Sequence, residues 1–385
     1  MLLIRNAIVY APEALGKKEI LIGGNIILGI SDKIDMPQGM DIEVIDANGL
    51  LVVPGLIDNH VHIAGAGGEG GPSTRTPELT LSRMFEGGVT TVVGCLGTDG
   101  LTRSVETVLM KAKSLRHEGA SAWIWTGAYQ VPTPSITGDV GRDIALIEEV
   151  IGVGELALSD HRSSYPSTGE LIRITALARV GGMLGKKAGL VNIHLGDAKN
   201  PFSPLHDVIN HSELKYTQFL PTHCNRNSYI FEDSKTYGKT GYIDITTSAW
   251  PYFQDEEIKP STALRLLLEA GVPSGHITFS SDSCGSLPGF DDQGRLVKLE
   301  MGFPSANLRE LADSVITEKI PIETSLKVLT SNVSTILKLP GKGFIANGMD
   351  ADLLFLDSGM QMVHLLAMGK WVVRSGVVVK KGTYE

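Results

Sequence analysis

Residues 54–71 read PGLIDNHVHIAGAGGEGG: a β-branched run, GLIDNHVHI, carrying two histidines one residue apart, then a loop dominated by glycine. On a strand, side chains two residues apart project from the same face, so His60 and His62 can reach a single ion. Taken alone, the pair is equally compatible with two histidines that happen to fall at a strand end. Working outward, the same texture returns as VTTVVGCLG, SAWIWTGAY, VIGVGELAL, GLVNIHLG, FLPTHCN, GYIDITTS and HITFSSDS. Amphipathic stretches such as TPELTLSRMFEGG, SVETVLMKAKSLRHEG and STALRLLLEAG lie between most of these runs, the last two stopping at glycine. Eight short strands alternating with helices predict a parallel α/β barrel, a (β/α)8 TIM barrel, spanning residues 54–344. A doubly wound sheet is the rival, but AGAGGEGGPS contains no phosphate-loop spacing and does not open a helix, so it reads as a flexible active-site loop.

The flanks differ. LLIRNAIVYA, KEILIGGNIILGI and EVIDANGL at one end, and ADLLFLD, MVHLLAMGKWVV and GVVVKKGTY at the other, are short Ile- and Val-rich runs broken by Gly, Asn and Pro. They predict a small β-sandwich domain built from both termini, residues 1–53 plus 345–385. The 385 residues, 42% of them hydrophobic, are enough for a large domain and an accessory one. Lys and Arg number 34 against 43 Asp and Glu, a net charge of −9 with no basic cluster. That balance argues against a nucleic-acid surface. No apolar run approaches a membrane span, and no secretory signal pattern is read at the start. Three cysteines form no CxxC and leave one unpaired in any scheme, which favours a reducing, cytoplasmic setting.

Three later features decide the histidine pair. His194 ends LVNIH, His223 ends FLPTH and Asp282 follows TFSS, each where a barrel strand would finish, at the face on which such barrels build active sites. Four imidazoles and a carboxylate form a nitrogen and oxygen donor set suited to zinc or a similar metal. His117, His161, His206, His211, His276 and His364 need no ligand role, although His161 directly follows the fourth strand. Cys224 has the opposite parity to His223 and reads as packing, and Cys284 as a loop thiol.

This pattern, with the strings PGLIDNHVH, GGEGGPSTRTPE, VTTVVGCLGTD, TGAYQVP, LSDHRS, LPTHCNRN and SSDSCGS, resembles the amidohydrolase superfamily, and within it bacterial isoaspartyl dipeptidase, over nearly the whole chain. The resemblance implies hydrolysis of β-aspartyl dipeptides by a hydroxide held between two divalent metals, zinc being the expected one, in a homo-oligomer acting on a small acidic dipeptide. It implies a first metal on His60, His62 and Asp282 and a second on His194 and His223. It also implies that Glu69 binds the substrate amine, Tyr129 assists at the scissile carbonyl, and Asp282 serves as general base and acid. Arg162 and Arg226 would grip carboxylates, with Thr98 and Ser286 in support.

One position departs from the family pattern. Glu155 stands where a carbamylated lysine would bridge the metals. Both groups carry one negative charge and two oxygens, but the glutamate has roughly 3–4 Å less reach. Either Glu155 still bridges or it merely pairs with Arg162. The other readings of the chain are a different amidohydrolase, an N-acyl amino acid deacylase or a cyclic amidase, or a non-catalytic binding protein with a degraded metal site.

Overall fold

The computed structural model describes residues 1–36, 39 and 41–385. Eight parallel strands organise the middle of the chain: β1 (Leu56–Val61), β2 (Val89–Gly94), β3 (Ser121–Thr126), β4 (Val150–Leu158), β5 (Leu190–Leu195), β6 (Phe219–Thr222), β7 (Ile243–Thr246) and β8 (Ile277–Ser280). The first six form one sheet in strict sequence order, and β7 pairs with β8. A doubly wound sheet reverses its strand order, so that rival is excluded. Two seams join the pieces. Cys224 N donates to Asp244 O at 3.1 Å between β6 and β7, while Val61 and Ser283 bridge β1 to the end of β8, with His62 N donating to Ser283 O at 2.9 Å.

A helix follows each strand: α1 (Leu81–Glu86), α2 (Val105–Glu118), α3 (Val140–Leu146), α4 (Thr168–Gly185), α5 (Ser203–Asn210), α6 (Ser228–Tyr237), α7 (Pro260–Glu269) and α8 (Ser305–Ile316), with α9 (Ile322–Lys327) and α10 (Ser331–Leu337) after them. The glycine stops are where the sequence puts them: α2 ends into left-handed Gly119 and α7 is followed by left-handed Gly271. The first helix is shorter than TPELTLSRMFEGG suggests, because residues 76–80 run back along the glycine loop; Ala66 N bonds Thr76 Oγ1 and Leu79 N bonds Ile63 O.

Strand parity sorts the apolar side chains. Ala122 and Ile124 of β3 join a cluster with the surrounding helices, whereas Trp123 and Trp125 join Ile57, Val93, Leu190 and Leu220 in an inner cluster closed by Val333, Ile336 and Leu337 of α10. The terminal strands behave likewise. Leu51–Pro54 pairs antiparallel with Leu353–Leu356, tying the two ends of the chain together. Along Leu353–Leu356, Leu353 and Phe355 pack in a cluster of the terminal strands while Leu354 and Leu356 belong to the cluster around the parallel strands. Among the described residues, nine terminal strands are hydrogen-bonded into one sheet that branches at Leu2–Tyr10, which pairs with Ala14–Gly23 along one edge and with both Glu43–Asp46 and Leu51–Pro54 along the other. A hairpin, Ser286–Phe290 with Leu296–Met301, follows β8. Its turn runs through Asp291–Gly294, the stretch DDQG.

Candidate active site

The C-terminal ends of the strands converge on one buried cluster. In β1 the register slips between Asp58 and Val61. Val61 and Ile63 therefore pack outward, while the His60 and His62 rings face inward with centroids 5.5 Å apart. His223 and Asp282 lie just past β6 and β8 in left-handed backbone, at φ 63° and 53°. Such conformations are uncommon away from glycine and recur at functional sites. Here they turn a side chain from the strand end into the cleft.

Glu155 lies at the centre. Its Oε1 is 3.4 Å from His62 Nε2, and its Oε2 is 3.4 Å from His60 Nε2, 3.2 Å from His194 Nδ1 and 3.9 Å from His223 Nε2. Pairing with Arg162 is ruled out as its role: Arg162 instead makes a two-pronged contact with Asp160, Nε to Oδ1 at 3.0 Å and a terminal nitrogen to Oδ2 at 2.8 Å. Asp282 Oδ1 sits 3.1 Å from His62 Nε2, yet it is buried without a hydrogen-bond partner. A carboxylate oxygen and an imidazole nitrogen this close but off hydrogen-bond geometry suit two ligands of a shared cation. Two donor groups emerge, His60, His62, Cys95 and Glu155 in one and Glu155, His194 and His223 in the other, with Glu155 common to both.

Neighbouring residues aim these donors. Asn192 Nδ2 donates to Leu220 O at 3.0 Å, so its Oδ1 faces His60 Nδ1 at 3.1 Å. That bond places the proton on Nδ1 and leaves the Nε2 lone pair for the cluster. Thr246 Oγ1, 2.7 Å from His223 Nδ1, orients that ring in the same way. The electrostatics of the cluster are self-compensating. Burial opposes charging His60 and His62, but Cys95 with Glu155 in the first case, and Cys95 with Asp282 in the second, outweigh it and raise both imidazoles well above their ordinary range. Burial likewise opposes ionising Glu155, and His60 and His194 overcome it. For His223, burial and the charges of His194 and Arg226 act together to hold the ring neutral.

The remaining predicted residues line the cleft above this cluster. Glu69 accepts from Thr98 Oγ1 at 3.2 Å and from Ser286 Oγ at 2.9 Å, with Arg162 3.4 Å away. Tyr129 OH is 2.7 Å from His194 Nδ1, and burial, then Glu155, keeps its phenol protonated. Arg162 lies 5.4 Å above the Tyr129 ring. The Arg226 guanidinium is less engaged, 3.4 Å from His194 Nε2 and 3.8 Å from Asp160. The glycine loop is held in place: Gly65 and Gly67 have φ of 74° and 77°, and a Cβ on either would meet the backbone oxygen of Thr76 or Thr74 at 2.5 or 2.4 Å.

His161 borders the cleft and stacks edge-on against Phe290. Cys224 and Cys284 pack, their thiols pushed up to about 12, chiefly by burial. His206, His276 and His364 bond or stack elsewhere, on Tyr216, Gly238 O and Trp371. The sequence reading missed Cys95, Asp160, Asn192, Thr246 and Glu257. For Cys95 a signal existed, since it shares inward parity with Val93 at the end of β2. Asn192 and Thr246 act through partners distant in sequence and left no local pattern, whereas Asp160 grips Arg162 only two residues on.

No family model matches the chain. A solved enamidase, itself a member of the amidohydrolase superfamily, aligns over 99% of this chain and 96% of its own at 19% identity, with a TM-score of 0.66, and so shares the fold. Dihydroorotase of Streptococcus pyogenes serotype M3 is 32% identical over 163 residues, 42% of this chain; the match spans 35% of that enzyme's length. Similarity to a β-aspartyl dipeptidase from Fervidobacterium islandicum AW-1, solved in complex with β-Asp-Leu, runs end to end. It is 43% identical, covers 98% of this chain and 97% of that one, and has a TM-score of 0.92. A second structure of the enzyme gives 40% and 0.89. The chain therefore belongs to the amidohydrolase superfamily and is a hydrolase. Within the superfamily it falls in the family of the β-aspartyl dipeptidases.

Proposed function

We propose that this protein hydrolyses β-aspartyl dipeptides at a two-metal centre bridged by Glu155, in the mouth of a closed (β/α)8 barrel. The two seam contacts that link the six-stranded sheet to β7 and β8 support closure, and the parity-sorted cores support a barrel at 54–344 with an accessory β-sandwich domain at 1–53 and 345–385. The observation that carries the reading is Glu155 in reach of four imidazoles, in a cleft also lined by a carboxylate, Glu69, fixed by Thr98 and Ser286. The donor set fits divalent cations, with His60, His62 and Asp282 on one and His194 and His223 on the other. Bound there, such ions supply a water that ionises near neutral pH and polarise the scissile carbonyl.

The chain's own residues do the rest. Glu69 pairs with the substrate's free amine, and Arg226, the less engaged guanidinium, takes a carboxylate in a forked contact. Arg162, fixed by Asp160, contributes orientation and positive field. The protonated Tyr129 donates to the oxygen on which charge develops. Asp282 takes a proton from the attacking water and returns it to the leaving nitrogen.

The test is release of free aspartate from β-Asp-Leu by the metal-loaded protein, with α-Asp-Leu as control. No turnover at full metal occupancy would reject the proposal. The partial match to dihydroorotase favours a second reading, hydrolysis of a cyclic amide. Arg226→Ala separates the two. It should lower kcat/KM on β-Asp-Leu about 10-fold to 100-fold, the loss of a charged hydrogen bond at about 1.5–3 kcal/mol, whereas indifference would favour the cyclic substrate. The three free cysteines, all buried, suit the reducing, cytoplasmic setting we propose for it.

A further inference from the structure

We propose that Cys95 is a thiolate ligand of this centre, binding the cation held by His60 and His62. The inference rests on the metallohydrolase reading and adds to it a soft, anionic donor. Cys95 is fully buried at the end of β2. Its Sγ lies 3.7 Å from His60 Nε2 and 3.8 Å from His62 Nδ1, with Val61 O at 3.6 Å. With zinc bonds of about 2.0–2.1 Å to nitrogen and about 2.3 Å to sulfur, tetrahedral N and S donors sit about 3.6 Å apart. The Sγ to Nε2 separation matches that edge.

A second observation is independent of the cysteine. Asn192 holds Nδ1 of His60, so Nε2 is the ring atom turned toward both Cys95 Sγ and Glu155 Oε2. A sulfur, an imidazole nitrogen and a carboxylate oxygen converging at these separations in a buried cluster form a donor set that one cation would satisfy. A cysteine serving only as apolar filler would be expected among aliphatic neighbours. Val93 and Ile57 do lie in its cluster, but the sulfur itself meets two imidazoles. Zinc deprotonates a coordinating thiol outright. With three anionic donors, Glu155, Asp282 and Cys95, two divalent ions keep a surplus charge of one. Thiolate ligation also selects zinc and cobalt over manganese and magnesium.

Cobalt substitution tests this without reference to turnover. The chelator-stripped protein reloaded with Co2+ should show a near-ultraviolet thiolate-to-cobalt charge-transfer band. The band should persist in Cys224→Ser and Cys284→Ser and vanish in Cys95→Ser, whose cobalt affinity in chelator competition should fall about 10-fold to 100-fold. X-ray absorption of the zinc-loaded wild-type chain supplies a readout that needs no variant and should contain one sulfur at about 2.3 Å. Stoichiometric metal with only nitrogen and oxygen neighbours and no charge-transfer band would overturn the assignment while leaving the hydrolase reading intact. A chain that binds neither metal would overturn both.

Discussion

Glu155 illustrates how charge and reach separate at the level of one residue. It keeps the single charge and two oxygens that a bridging group needs, and its shorter side chain still comes within 3.2–3.9 Å of all four imidazoles. Glu155→Gln retains the shape but removes the charge, leaving two cations against one fewer anion. It should lower kcat by about 100-fold or more and reduce bound metal toward one equivalent, read by elemental analysis. Because the carboxylate is genetically encoded, reactivation of the metal-stripped wild type should not require bicarbonate; a bicarbonate requirement would contradict the assignment. Asn192 makes a subtler case. Asn192→Leu leaves His60 free to choose its tautomer and should weaken metal affinity about 10-fold to 100-fold, measured by chelator competition, with little change in KM. His60 and His62 were legible in the sequence because a period of two is local. Asn192 was not, because its partner is 132 residues away.

Elements hold these side chains through their ends. The helix α4 begins at a capping box in which Ser167 Oγ accepts from Glu170 N and the Glu170 side chain bonds back to Ser167 N at 2.8 Å. It follows the loop that carries Asp160 and Arg162. Ser167→Ala should cost about 1 kcal/mol of unfolding free energy, measured by urea titration, without changing metal stoichiometry. An unaltered transition midpoint would show that the box contributes nothing. Helix stops at Gly119 and Gly271 and most strands could be read from periodicity and glycine placement. The slip in β1 could not, since a one-residue irregularity in register leaves composition and spacing nearly untouched.

The whole molecule shows its organisation in titration and in shared cores. Glu257, on the cleft wall near Arg226, has its carboxyl pushed up to about 8, chiefly by burial, and its Oε2 has no hydrogen-bond partner. A carboxyl raised in the folded state stabilises the fold below its ordinary 4.5 and loses that contribution as pH climbs through about 8. Glu257→Gln should therefore gain stability over the wild type between pH 5 and 9, by a few kcal/mol at most. Parallel denaturation curves across that range would refute the burial argument. The terminal sheet is not an appendage. Leu354 and Leu356 reach the core around the parallel strands while Leu353 and Phe355 stay within the cluster of the terminal strands, so one strand couples both.

Sequence alone determined the alternation of strands and helices, the pairing of the two termini, and the histidines and acids placed at strand ends. Those features are written in periodicities of two and of about three and a half, and in residue types whose chemistry is intrinsic. Only the tertiary structure decided that Glu155 faces imidazoles rather than Arg162 and that a thiol stands beside the first histidine pair. These are contacts between segments far apart along the chain, and their distances are set by strand register, backbone turns and core packing, which no local pattern encodes.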